Sequence, residues 1–321
     1  MSQKPKLLAI GGAHIDRRGQ LNVDYLPGAS NPGTMREEVG GGVFNAARIA
    51  AQLGIQTAFL SVRGGDVQGE AVARAIKNAS IQDLSSVFLD RQTATYTAIL
   101  DKGGDIITAL ADMAIYETAL PRQIARRKTR DAIALADAIL TDANMPSEAI
   151  RRLLALADGK PVYAIAISPA KIIRFSGLLD QFTCIFMNRR EAKSLAGLEQ
   201  SSEASPSEIL ANLTRSGLKS AVMTDSAASV WLLNKGVIAN IRPPSAHDVV
   251  DVTGAGDALA GTATAAMMQD IGFAEAVMRG VASAVATVES REAVIDLHKN
   301  ERFDALFRQL KSEGMNTLEE L

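Results

Sequence analysis

The sequence predicts an α/β fold: a doubly wound, mostly parallel sheet with helices on both faces, plus a small β-sheet lid. Three observations carry this expectation. Short apolar runs of strand length alternate with amphipathic stretches of helix length along almost the whole chain, the pattern of repeated strand–helix units. Several helical stretches open on Ser, Thr or Asn and close on Gly, as helix ends prefer. Two regions, about 13–39 and 93–110, break the rhythm with Gly, Asn and Pro turns between short strand patterns. With 321 residues, one domain spanning 1–321 can bury an ample core.

Taken in order, "LLAI" (7–10) is the first buried strand; its apolar run is too short for a signal peptide. Residues 13–39 form the first lid segment. "FNAARIAAQLG" (44–54) is a helix closed by Gly54, "TAFLSV" (57–62) a strand, and "GEAVARAIKNA" (69–79) a helix. Residues 93–110 alternate around Gly103 and Gly104, a hairpin signal for the second lid segment. Strands "AILT" (138–141), "VYAIAI" (162–167), "CIFM" (184–187) and "AVMT" (221–224) then alternate with helices "SEAIRRLLALADG" (147–159), "REAKSLAG" (190–197) and "SEILANLTRSG" (207–217). A late hairpin, "ASVWLLNKGVIANIR" (228–242), precedes an alanine-rich helix.

Composition narrows the function classes. Hydrophobic residues make up 47% and charged residues 22%, as in a soluble enzyme, and no apolar run is long enough for a membrane span. The net charge of −2 comes with scattered basic residues, so a nucleic-acid surface has no electrostatic footprint. A single cysteine, Cys184, rules out an internal disulfide framework and suits the cytoplasm. Three histidines far from it make no structural zinc site.

The chemistry concentrates in "DVVDVTGAGDALAG" (248–261). Gly254, Ala255 and Gly256 precede a helix of small residues, and the amides of a helix N-terminus favour a phosphate. A carboxylate there, Asp257, repels a phosphate unless it takes a proton from an attacking hydroxyl. Its other reading is a helix cap. A dinucleotide-dependent oxidoreductase needs a different glycine spacing after the first strand than "AIGGAHID" provides.

In context the chain resembles the PfkB, or ribokinase-like, family of carbohydrate and nucleoside kinases. "EVGGGVFNAARIAAQLG" (38–54) is similar to the family's first signature, "DVTGAGDALAG" to its second, and "FMNRREAKSLAG" (186–197) to its Asn-x-x-Glu segment. "ASNPGTMREEVGGG", "ITALADMAIYETALP" and "ILTDANMPSEA" further resemble pseudouridine kinases. The resemblance implies ATP-dependent phosphorylation of a ribose-type primary hydroxyl, most closely the 5′-hydroxyl of pseudouridine. ATP and Mg2+ are the implied cofactors, K+ an optional one, and a homodimer through the lids the implied assembly. Asp257 matches the catalytic base, and Gly254, Ala255 and Gly256 the anion hole. Asp16, Gly40, Gly41 and Asn45 match residues that hold the sugar. Asn188 and Glu191 match the pair that organises Mg2+ and phosphate through water, and Asp251 a monovalent-cation ligand.

Each assignment has a plainer counterpart. Asn45 and Asn188 also read as N-caps, Glu191 as a residue of a solvated helix face, and Asp16 as a surface partner of Arg17 or Arg18. Asp112 reads as a base-edge contact or an exposed turn residue, and His14 as a substrate contact or a structural histidine. Asn144, beside Asp142, ends a strand where open α/β sheets place ligands. Lys171 reads as a phosphate contact or a solvated lysine. Three departures stand out. Val43 and Phe44 replace smaller residues and imply a bulkier sugar-side wall. Thr224 is kept, but Ser226 and Ser229 replace two glycines of the nucleotide loop, which implies altered loop geometry or nucleotide contact. "VYAIAIS" lacks the family's Asp-Pro. A non-catalytic nucleoside-binding protein on the same fold is the rival reading.

Overall fold

The computed structural model describes residues 4–320. Ten strands form one sheet in the order Asn316–Glu320, Val237–Ile241, Ser229–Asn234, Ser220–Asp225, Cys184–Asn188, Val162–Ile165, Ala138–Asp142, Lys6–Ile10, Gln56–Leu60 and Gln82–Asp83. From Ser220–Asp225 through Gln82–Asp83 all pairings are parallel, and the three strands at the other edge are antiparallel. This is the predicted ribokinase-like arrangement.

Doubly wound strands must bury both faces, which explains why the sequence shows continuous apolar runs in place of alternation. In the first strand Leu8 and Ile10 enter one core while Leu7 and Ala9 enter the other. Val162 and Ala164 against Tyr163 and Ile165, and Ile185 and Met187 against Cys184 and Phe186, divide in the same way. Helices Gly42–Gln52, Ala255–Met268 and Phe273–Val288 cover one face; Ser147–Ala157 and Pro206–Arg215 cover the other. The late hairpin turns at Lys235 and Gly236, both at positive φ (50° and 87°), as a tight two-residue turn requires.

The chain runs from the first strand outward to Gln82–Asp83, then returns to Ala138–Asp142 on the first strand's other side. The winding therefore reverses between Lys6–Ile10 and Ala138–Asp142, and the carboxyl ends of strands at such a switch point are where open α/β sheets bind ligands. A separate four-stranded sheet stands beside it, ordered Gly33–Gly40, His14–Leu21, Thr95–Leu100, Ile106–Asp112. Its predicted hairpin is built by Asp101, whose side chain accepts the amides of Gly103 (2.8 Å) and Asp105 (2.9 Å). Helices Ala114–Ile124 and Arg127–Leu135, which the sequence reading left unassigned, lead from the small sheet back to the large one. Among the described residues no helix is long and apolar enough to cross a membrane.

Candidate active site

Gly254, at φ 79°, is the N-cap of helix Ala255–Met268, and no side chain caps the amides of its first turn. A Cβ on Gly256 would meet nothing within 4 Å. The first turn, the expected anion cradle, is therefore open, and Asp257 belongs to it.

A second helix N-terminus delivers the partner of Asp257. Gly41 caps helix Gly42–Gln52 at φ 120°, where a Cβ would lie 2.3 Å from the Gly12 carbonyl oxygen. A Cβ on Gly40 would stand 2.0 Å from an Asp16 carboxylate oxygen, and one on Gly42 would meet Ile167 at 2.6 Å and Asp257 at 3.1 Å. The glycine run thus lets a helix start against two acidic side chains. Further along, Gly261 packs so closely that its Cβ would lie 2.5 Å from the Ala46 carbonyl, which draws the two helices together. Asn45, buried, consequently donates from Nδ2 to Asp257 Oδ2 at 2.8 Å. Arg48, one turn on, donates to Asn45 Oδ1 and to the Val39 carbonyl (3.2 Å). Asn45 is thereby fixed with its amide hydrogens toward Asp257 and its oxygen toward Arg48.

Burial, above all, pushes the Asp257 carboxyl up to about 6; nearby Asp142 and Asp16 push the same way, and Asn45 and Arg48 oppose them. Such a group is ionised at neutral pH yet basic enough to accept a proton. Arg48 itself is lowered from its usual value, chiefly by burial. Sequence reading missed this residue. Its signal was a charge one turn after Asn45 on a helix face otherwise buried.

The switch point holds the second group. Asp142, fully buried, accepts from the amides of Gly12 (3.1 Å) and Asn144 (2.9 Å) and from Asn144 Nδ2 (3.0 Å). Lys171 Nζ donates to Asn144 Oδ1 at 2.6 Å. His14 lies between Asp16 (3.2 Å) and the hydroxyl of Tyr116 (3.4 Å), which donates to the Ala13 carbonyl. Asp16 is therefore no partner of Arg17 or Arg18: Arg17 pairs with Glu37 at 2.8 Å and Arg18 with Asp251.

Asn188 and Glu191 form a reciprocal capping box: Asn188 Oδ1 accepts the Glu191 amide (2.9 Å) and Glu191 Oε2 accepts the Asn188 amide (2.7 Å). Glu191 is buried, which overturns the solvated-face reading. Burial first, and Asp257 in addition, push its carboxyl up to about 7 despite the Asn188 amide. A carboxyl so placed, close enough to Asp257 to feel its charge, has the donor character a divalent cation would stabilise. Asn188 and Glu191 are the residues that would hold a hydrated divalent cation; among the described residues no three acidic, His or Cys side chains form a cluster. Thr224 lies beside Asn188 in the sheet.

Four expectations need correction. Asp112 is exposed, ends the strand Ile106–Asp112, and shares through Thr95 the pleat of Ile15, the face opposite Asp16; it stands outside the site. Val43 and Phe44 are fully buried, Phe44 against Phe59 with ring centroids 5.2 Å apart, so they belong to the core and build no sugar-side wall. Ser226 adopts φ 52°, so this position retains the left-handed backbone expected of glycine. Asp251 does not fit a monovalent cation: Oδ2 accepts from Arg18 Nη1 (2.6 Å), Oδ1 accepts the Thr253 amide (2.9 Å), and Thr253 Oγ1 accepts from Arg18 Nη2 (2.5 Å). Where the family's Asp-Pro is missing, Ser168 donates its amide to the Ala166 carbonyl (2.9 Å) around Ile167 at φ 72°, a tight turn that is strained for a β-branched residue.

The chain has counterparts among known proteins. A model of the pfkB family of carbohydrate kinases matches residues 4–300. The chain belongs to that family. As a pfkB kinase it is a phosphotransferase with an alcohol acceptor. It is similar to the pseudouridine kinase of Escherichia coli, 27% identical over 278 residues that cover 86% of this chain and 88% of that one. A carbohydrate kinase structure from Agrobacterium tumefaciens is 40% identical, with a TM-score of 0.84 over 98% of this chain and 100% of that one. An Arabidopsis thaliana ribokinase complexed with ribose and ATP shares the fold at 20% identity and a TM-score of 0.82, over 95% of this chain and 99% of that one.

Proposed function

We propose that this kinase transfers the terminal phosphoryl group of ATP to the 5′-hydroxyl of a ribonucleoside, with pseudouridine as the acceptor. The observation that carries the reading is a carboxylate, Asp257, oriented by Asn45 inside an uncapped helix N-terminus. A binding loop for phosphate has no use for that charge, whereas a base for an attacking hydroxyl must stand there. Asp16 and Asn45 hold the ribose with its primary hydroxyl toward Asp257, which accepts the proton. The amides after Gly254 face the phosphoryl oxygens, where they stabilise the charge in transfer. Bound Mg2+ would neutralise phosphate oxygens, with Glu191 and Asn188 holding its water shell; Thr224 and Ser226 border the nucleotide. Asn144 and Lys171 offer an amide and an ammonium to the base at the switch point; Lys171 is thus assigned to the acceptor and no longer to the nucleotide. The small sheet acts as the lid that excludes water, and a second copy packs against its outer face.

Turnover with ATP and Mg2+ should be highest for pseudouridine in a panel with uridine, adenosine, inosine, ribose and fructose 6-phosphate. Equal or better turnover of a plain sugar refutes the acceptor while leaving the family untouched. Asp257→Asn should lower kcat by roughly 100- to 10,000-fold with nucleoside binding retained.

A further inference from the structure

The Arg18 contact to the loop before the cradle has no role in that mechanism. Arg18 belongs to the small-sheet strand His14–Leu21, on the pleat that also carries Asp16. Across the sheet it faces Arg36, and repulsion between like charges in register turns its head group elsewhere. It reaches residues 251–253, more than 230 positions away, with two guanidinium nitrogens on two different acceptors. That loop is otherwise held by the Val288 carbonyl, which accepts the amides of Val250 (2.8 Å) and Asp251 (3.3 Å), and it leads directly into Gly254.

We propose that Arg18 is a tethered cation that locks the small sheet onto the cradle loop, so that closure over the acceptor and ordering of the anion cradle are one event. Both oxygens of Asp251 and the hydroxyl of Thr253 are engaged, so the loop carries its own positive charge and the reaction runs without added K+. A forked guanidinium suits this task because two parallel hydrogen bonds fix orientation as well as distance. The side chains of the pair are only about a third exposed (32% and 30%), which shields them from competing ions in part.

The rate arm of the test rests on the kinase reading; the exchange arm does not. Wild-type turnover should be unchanged when KCl is replaced by tetramethylammonium chloride at equal ionic strength, and a tenfold fall on removing K+ overturns the tethered-cation claim. Arg18→Met and Asp251→Asn should each lower kcat/KM by on the order of 10- to 100-fold, with the double variant no worse than the poorer single one; additive losses overturn the coupling. Hydrogen exchange at residues 14–21 and at 251–256 should quicken together in Arg18→Met, with thermal unfolding confirming a folded protein. Faster exchange in the small sheet alone refutes the lock. If the wild type turned over no acceptor, the kinase reading would fall while the exchange result still judged this contact.

Discussion

At the scale of single residues, the relay Arg48–Asn45–Asp257 sets both the aim and the basicity of the proposed base. A carboxylate works as a base only when ionised, so kcat/KM should decline as pH falls through about 6, the value to which burial raises Asp257. Asn45 and Arg48 oppose that rise. Removing either favours the protonated form, so Asn45→Ala and Arg48→Met should move the acid limb to higher pH; a pH–rate profile with an unshifted limb would sink the relay. Ser226 gives a second test. A non-glycine residue at φ 52° costs on the order of 1 kcal/mol, and the side chain is exposed, so little packing is lost with it. Ser226→Gly should raise the melting temperature slightly and lower KM for the nucleotide, with kcat unchanged. Asp257, Asn45 and Glu191 were legible in the sequence because short motifs contain them. Arg48 and Arg18 were not, because each acts through a contact that only the fold creates.

At the scale of elements, the site depends on two helix starts meeting. Gly42–Gln52 and Ala255–Met268 approach so closely that a Cβ on Gly261 would lie 2.5 Å from the Ala46 carbonyl oxygen, which explains a helix as poor in bulk as "AGDALAGTATAAMM". Gly261→Val would force its side chain into the Ala46 carbonyl and push the helices apart. Overpacking of this kind costs about 1–3 kcal/mol, and the displacement would carry Asn45 away from Asp257. Thermal unfolding should show the loss, and kcat should fall more than KM changes; a stable variant with wild-type kcat would show that the helix contact does not set the geometry. Runs such as "LLAI" and "CIFM" were readable as strands because burial on both faces leaves them uniformly apolar. Helix Ala114–Ile124 escaped because Pro121 interrupts its pattern. Phe273–Val288 also went unassigned, although it is an amphipathic helix of 16 residues.

At the scale of the molecule, a thick sheet with two cores carries a thin sheet that enters one of them only at its base, through Ile15 and Val39. The inner pleat of the small sheet bears Asp16 and Arg18, whereas Met35, Ile99 and Leu110 share the pleat that faces away. On that outer pleat Met35 and Ile99 close over Gly19, where a Cβ would lie 3.1 and 3.0 Å from their side-chain ends, and Met35 and Leu110 remain 55% and 70% exposed. Apolar groups presented by a single layer have no core of their own to enter, and burial against another surface stabilises both. The proposed second copy would supply that layer and hold the small sheet at the angle from which Arg18 reaches Asp251. The protein should therefore sediment as a dimer, and Leu110→Glu, which places a charge in the contact, should shift it to a monomer. If the contact steadies the lid, the same variant should raise KM for the acceptor several-fold while leaving nucleotide binding, proposed on the large sheet, unchanged. A monomeric wild type would dismiss the assembly, and a monomeric Leu110→Glu with unaltered acceptor KM would separate assembly from lid closure.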